Sequence, residues 1–291
     1  MQYGHAMMLV TRWLPVCALL ALVGCVSSVA QLQTARTLPP KETRFQLGAS
    51  VPISTRYVQE IIDSIKLVAD RLQDADSANR PVTEAEQRQA IETAAAVLLL
   101  QPAVVPELSA RIGVFDNLDM SLRWAGPTFR LDGKYQLVAR PGEWHAALHG
   151  AYVHHTGVGA SIATSLYEIF DKLRLASYSR KDIELGLLVS SEEENRPVSM
   201  YGGLRYFLAM PRIESALVDG LEAESGTPII ETETNIHQLG ATFGVRVGNR
   251  RVSLMAELTV LYMIFETEIL GQKTDLGGLV FAPGVGVAVD I

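Results

Sequence analysis

From Thr43 to the C-terminus, apolar and polar residues alternate one by one over stretches long enough to cross a membrane. Successive side chains of a strand point to opposite faces, so a period of two sorts each stretch into two surfaces. In 235–247, Leu239, Ala241, Phe243, Val245 and Val247 share one face, and Gln238, Gly240, Thr242, Gly244 and Arg246 share the other. In 129–139, Phe129, Leu131, Tyr135, Leu137 and Ala139 oppose Arg130, Asp132, Lys134 and Gln136. In 198–210, Met200, Leu204, Tyr206 and Leu208 oppose Ser199, Tyr201, Gly203 and Arg205. Further candidates are 43–54, 105–115, 118–125, 143–156, 173–191, 250–269 and 276–291. Strands of soluble proteins have a mode of about 5–6 residues, whereas about 9–11 cross a bilayer at the usual tilt. Most of these segments reach the second length.

The connections carry a second pattern. Those after the second, fourth, sixth and eighth strands are tight: Asp116-Asn117, Arg140-Pro141-Gly142, Glu193-Glu194-Asn195-Arg196 and Gly248-Asn249. Those after the first, fifth and seventh are long, that after the ninth is intermediate, and Ala125-Gly126-Pro127 after the third is a short exception. Short turns at one end and longer loops at the other characterise an outer-membrane barrel. The expected fold is all-β: an antiparallel up-and-down transmembrane barrel of about ten strands, spanning 43–291. Within it, 57–101 changes period. Ile61, Ile62, Ile65, Val68 and Leu72 recur at helical spacing, and Thr83-x-x-Glu86 is a capping box before a second apolar stripe. This reads as an inserted helical hairpin.

The N-terminus reads as a signal. A short region bearing Arg12 precedes the apolar run Leu14–Ala21 and then Leu22-Val23-Gly24-Cys25. The last four residues resemble a bacterial lipobox, which implies a signal peptide over 1–24 and lipid on Cys25. Residues 25–42 read as a lipidated tether. The other cysteine, Cys17, lies in the leader, so the processed chain would have no thiol for a disulfide, a nucleophile or a metal. A net charge of −7 with no basic tract argues against nucleic-acid binding.

With the lipobox, the entry sequence Gln33-Thr34-Ala35-Arg36-Thr37-Leu38-Pro39-Pro40 before Arg44-Phe45-Gln46-Leu47-Gly48, and the strand core Tyr201-Gly202-Gly203-Leu204-Arg205, are similar to those of the outer-membrane β-barrel lipoproteins of Gram-negative bacteria. The resemblance implies a fold and a place, without catalytic residues.

If the apolar faces meet lipid, the opposite faces line a lumen carrying Arg111, Asp119, Arg123, Arg130, Asp132, Lys134, Glu184, Arg205, Arg246 and Glu257. They form either a buried ion-pair network that closes the barrel or the lining of a narrow solute path. If Trp124 pairs with Phe129, Asp119 falls opposite Lys134. His145 and His149 share a face but lie roughly 13 Å apart along a strand, too far to hold one ion together, and His154 and His155 point to opposite faces. Trp124, Trp144, Tyr152 and Tyr206 suit headgroup girdles. No Gly-x-Ser-x-Gly, His-Glu-x-x-His or phosphate-binding loop occurs. The expected role is structural or interaction-based, without catalysis, metal or cofactor. Expected partners are outer-membrane lipid and, through the hairpin 57–101 or the outer loops, another envelope protein. The alternatives are a narrow channel for small solutes and a soluble periplasmic lipoprotein β-domain binding a hydrophobic ligand.

Overall fold

The computed structural model describes residues 28–54, 104–140, 144–156, 175–191, 197–216, 229–233, 235–249, 251–264, 266–269, 272–275 and 277–291. The leader, Cys25 and the helical hairpin expected over 57–101 lie outside the described residues. The strands are β1 (Thr43–Ser50), β2 (Ile53–Ser54), β3 (Val105–Phe115), β4 (Leu118–Ala125), β5 (Thr128–Arg140), β6 (Trp144–His155), β7 (Leu175–Ser191), β8 (Val198–Ala216), β9 (Ile229–Glu233), β10 (Ile236–Gly248), β11 (Val252–Ile264), β12 (Glu266–Ile269), β13 (Gln272–Asp275) and β14 (Gly278–Asp290). Ten of these, β1, β3 to β8, β10, β11 and β14, pair antiparallel in chain order, and β14 returns to pair with β1. The seam sets Arg44 opposite Asp290 and Ser50 opposite Gly284. Closure removes the sheet edges that would otherwise remain unpaired.

The structure is thus a closed up-and-down barrel of ten strands. β2 adds to β14 and β9 adds to β8, both at the long-loop end. β8 runs on to Ala216, past the alternating stretch 198–210, so the connection after it begins later than the alternation suggests. β12 and β13 make a separate two-stranded hairpin in the connection between β11 and β14. The Thr43 amide donates to the Ile291 carbonyl at 3.0 Å, which ties both ends of the barrel strands together at the tight-turn end.

The faces are inverted relative to a water-soluble barrel. Leu47, Leu108, Leu122, Leu131, Leu148, Leu185, Leu204, Phe243, Leu254 and Val285, one from each barrel strand, are exposed on the outside. Arg111, Asp119, Arg130, Asp132, Lys134, Glu184 and Arg205 are buried inside. A ring of aliphatic and aromatic side chains around every strand is favourable against hydrocarbon and costly against water. A closed barrel also satisfies every backbone group within the sheet, as a bilayer requires. Trp144, over which the Arg140 guanidinium lies at 5.6 Å, marks the tight-turn end, and the neighbouring Trp124 and Phe129 mark the long-loop end.

One expected result follows from the facing. Phe243 is 63% exposed on the outer surface, and an Arg near the bilayer midplane costs about 2–4 kcal/mol. Phe243→Arg should lower the folded fraction by that order, while Phe243→Leu should be nearly neutral. Urea titration of the reconstituted barrel measures both, and equal stability of the two variants would contradict the facing. Thr242, its neighbour on the inner face, is fully buried against Thr259, hydroxyl to hydroxyl at 2.8 Å.

Candidate functional site

A ten-stranded barrel is a little wider than the eight-stranded size that side chains alone can fill. Here the remaining space is occupied by the chain itself. Residues 28–38 form no strand, yet nearly all of them are buried within the barrel. The reading of 25–42 as a tether does not hold for residues 28–38, which are the core of the lumen.

An irregular segment in a dry interior must find partners for its own amides and carbonyls. The charged wall supplies them. Arg123 donates to the Ala30 carbonyl at 2.6 Å and the Gln31 carbonyl at 2.7 Å, and Arg205 donates to the Val29 carbonyl. Lys134 donates to the Thr34 carbonyl at 2.9 Å and the Arg36 carbonyl at 2.7 Å. The segment's amides reach wall acceptors in turn: Ala35 to Ser190 at 3.1 Å, Thr37 to Gln136 at 2.9 Å and Leu38 to Asp119 at 3.3 Å. The amides of Gln31 and Leu32 donate to the two oxygens of the Glu257 carboxylate at 2.7 and 2.6 Å. Leu32 has φ 48°, a left-handed conformation unusual for a branched residue. Two successive amides aimed at one anion form the concavity known as a nest.

Around this segment the wall charges link strand to strand. Arg111 on β3 bonds to Asp119 and, at 2.6 Å, to Asp132. Lys134 on β5 lies 3.3 Å from Asp119 on β4, its cross-strand neighbour in the register that pairs Trp124 with Phe129. Arg123 meets Glu107 at 3.3 Å, and Arg130 and Arg205 meet Glu184 at 2.6 and 2.7 Å. His149 lies 3.6 Å from both Asp132 and Glu184. Arg246 is set apart from this network. It is half-buried at the tight-turn rim, 4.0 Å from Asp290, which Arg44 grips in a two-point pair at 2.6 and 2.7 Å. Asp119 serves Arg111, Lys134 and the Leu38 amide together, so deleting it would leave Arg111 with Asp132 and the Leu38 amide without its acceptor.

β1 and β14 present a different wall. Inward-facing Gly48, Gly284 and Gly286 leave the room that Ala30 and Leu32 occupy: a Cβ on Gly48 would come within 2.8 Å of Leu32, and one on Gly284 within 2.9 Å of Ala30. The other apolar side chains of the segment fill small hollows, Val29 with Phe207, Leu261, Val280 and Ala282, and Ala35 with Ala147 and Leu188. At the tight-turn end the chain reverses. The Lys41 amide donates to the Gly113 carbonyl at 2.9 Å, Lys41 has φ 71°, and the Pro39 carbonyl sits where a Cβ of Gly113 would be, at 2.0 Å. The chain then enters β1.

The histidines serve this architecture. His145 faces inward beside Gln136 at 3.4 Å, and His155 lies 3.4 Å from Asp182, which Arg180 also grips. Among the described residues no three His, Cys, Asp or Glu side chains converge as metal ligands. Sequence reasoning missed the segment that occupies the lumen. The available signal was indirect: the inward glycines of β1 and β14 leave space beside the charged wall.

These features define a membrane-type β-barrel whose lumen is filled by its own N-terminal segment. No family model and no curated protein matches the chain. Among solved structures, the translocator domain of the autotransporter NalP from Neisseria meningitidis is similar at 10% identity and a TM-score of 0.37, covering 98% of this chain and 95% of that one. Ail of Yersinia pestis is similar at 11% identity and a TM-score of 0.33, covering 87% and 99%. The N-terminal β-barrel domain of Pseudomonas aeruginosa OprF is similar at 9% identity and a TM-score of 0.29, covering 87% and 100%. At these values the likeness is one of general form, and the character of the barrel rests on its own strands and faces.

Proposed function

We propose that this protein is an outer-membrane β-barrel, lipid-anchored at Cys25, whose role is structural or interaction-based and whose lumen is closed. The observation that carries this reading is the seating of residues 28–38: wall cations take their carbonyls and wall acceptors take their amides. A solute path would need those same groups to face water. The exposed apolar ring speaks against the soluble β-domain, which would bury that surface instead. The long-loop end then faces outward, and the tight turns face the periplasm.

Planar-bilayer recording tests closure. The intact chain should be silent, and replacing residues 29–37 by a Gly-Ser repeat of equal length should open a steady conductance. Conductance of the intact chain at the level of the replaced one would favour the channel reading. The anchor is tested separately: metabolic fatty-acid labelling should vanish in Cys25→Ser, and labelling that persists would remove the lipid from the proposal.

A further inference from the structure

The outer surface of the barrel sorts its charges. Among the described side chains of the ten barrel strands, every Asp and Glu faces inward. The titratable groups on the outward face are basic, tyrosines aside. Arg140 lies at the tight-turn end, beside Trp144. The other four, His154 on β6, Lys181 on β7, Arg212 on β8 and His237 on β10, are exposed and lie toward the long-loop end.

Strand register fixes this facing and brings three of the groups together. His154 is the cross-strand partner of Lys181, and Lys181 is that of Met210. Arg212 follows two residues along β8 on the same face, in register with Ser179. A direct cross-strand pair has its Cβ atoms about 4.5–5.5 Å apart and a diagonal pair about 7–8 Å, still within reach of long side chains. Arg212 also stands in register with Glu233 of β9, so Lys181 is the central cation of the group. The row of His154 and Lys181 continues on its other side through Phe129 to Trp124, aromatic neighbours suited to headgroup level. One step toward the middle of the barrel the same three strands turn apolar and aromatic. Tyr152, Ile183 and Leu208 make the next row, then Gly150, Leu185 and Tyr206. A charge on the lipid face is costly at the midplane and cheap at the interface. The step from Ile183 to Lys181 therefore marks where hydrocarbon gives way to headgroups.

We propose that Lys181 and Arg212, with His154 beside them, bind the phosphate headgroup of an outer-leaflet lipid whose acyl chain lies along Tyr152, Ile183 and Leu208. A ligand matched to this surface is anionic at one end and apolar at the other. A lipid has both ends, and a free anion has only the first. The Arg212 guanidinium presents paired donors that fit phosphate oxygens, and the Lys181 ammonium adds a compact charge. The inward carboxylates are committed to the lumen, so no described acidic side chain of the barrel strands competes from the outer face. The inference rests on the outer-membrane reading proposed above, which sets the long-loop end in the outer leaflet.

The test is native mass spectrometry of the full chain in detergent micelles, with diphosphoryl lipid A as the probe and phosphatidylcholine as the neutral comparison. The expected result is retention of lipid A at concentrations where phosphatidylcholine is lost. Replacing both Lys181→Gln and Arg212→Gln should weaken that retention about tenfold, while Arg140→Gln, at the other end of the barrel, should leave it unchanged. Millimolar inorganic phosphate should not displace the lipid, and displacement would mean a site for free anions instead. Equal retention by the parent and the double variant, or equal loss in Arg140→Gln, overturns the inference. Heat-modifiable migration after refolding into phosphatidylcholine vesicles shows separately that each barrel has formed. A barrel that inserts and shows no preference for lipid A overturns the inference and leaves the outer-membrane reading standing. A parent chain that inserts into no vesicle overturns both.

Discussion

Replacing Arg205 by Met should cost the folded barrel about 3–5 kcal/mol, the usual consequence of removing one partner from a buried charge cluster. Arg205 is 1% exposed. Its guanidinium donates from Nε to Glu184 at 2.8 Å, reaches the hydroxyls of Thr242 and Thr259 at 3.4 and 3.3 Å, and takes the Val29 carbonyl of the lumen segment. It also lies over the Phe207 ring at 4.6 Å. Met keeps much of the volume, so the loss reports the weakened pairing of Glu184, left with Arg130 as its guanidinium partner, and the unpaired Val29 carbonyl rather than a cavity. Arg205→Lys should fall between the two, because one ammonium cannot reproduce a planar fork that serves several acceptors. Urea titration of heat-modifiable migration in lipid vesicles measures the series. A cost below about 1 kcal/mol, the range for solvent-exposed pairs, would mean that water fills the lumen and the segment is not seated.

The second large effect should come from Glu257→Ala. This carboxylate accepts the Gln31 and Leu32 amides, the Tyr201 hydroxyl at 3.1 Å and the Thr259 hydroxyl at 2.9 Å. Hydroxyls can rotate to other acceptors, but two adjacent backbone amides cannot. A buried donor left without an acceptor costs about 1–3 kcal/mol, so the two amides together should cost roughly 2–6 kcal/mol. They should also release Leu32 from its left-handed conformation. The expected signature is twofold: a lower urea midpoint, and protease sensitivity within 28–38 that the parent lacks. Glu257→Gln, which keeps one acceptor oxygen, should be milder. An Ala variant as protease-resistant as the parent would show that the nest does not hold the segment.

The two variants probe different halves of one arrangement. Cations on β4, β5 and β8 take carbonyls, while acceptors on β4, β5, β7 and β11 take amides. A lumen built this way recognises a chain mainly by its backbone. Side chains add to this through shallow apolar hollows, the glycine wall of β1 and β14, and hydrogen bonds from Ser28, Gln31 and Thr37 to Glu107, Glu184 and Gln136. That division explains why the segment can be as plain as Ser28-Val29-Ala30-Gln31-Leu32 and still be fixed in place.

The alternation determined the barrel. A period of two forces every side chain to one face or the other, so Leu239 and Phe243 had to lie opposite Thr242, and Arg130, Asp132 and Lys134 had to lie together. Turn lengths determined the meander, since a tight turn can only join antiparallel neighbours. Counting back from Ala125-Gly126-Pro127 was enough to place Asp119 beside Lys134. The lumen segment was not legible in the same way. Residues 28–38 have no period, because their hydrogen-bond partners come from eight different strands and impose no repeat on the sequence. Their conformation, including the left-handed Leu32, is set by Arg123, Arg205, Lys134 and Glu257 acting across the barrel. Local propensity has no part in it. The direction of residues 28–38, from Ser28 beside Glu107 to Thr37 beside Asp116, followed the same logic. Strand parity decides where β1 begins, but only the closed barrel, with a slot one chain wide, decides that the residues before it turn back inside.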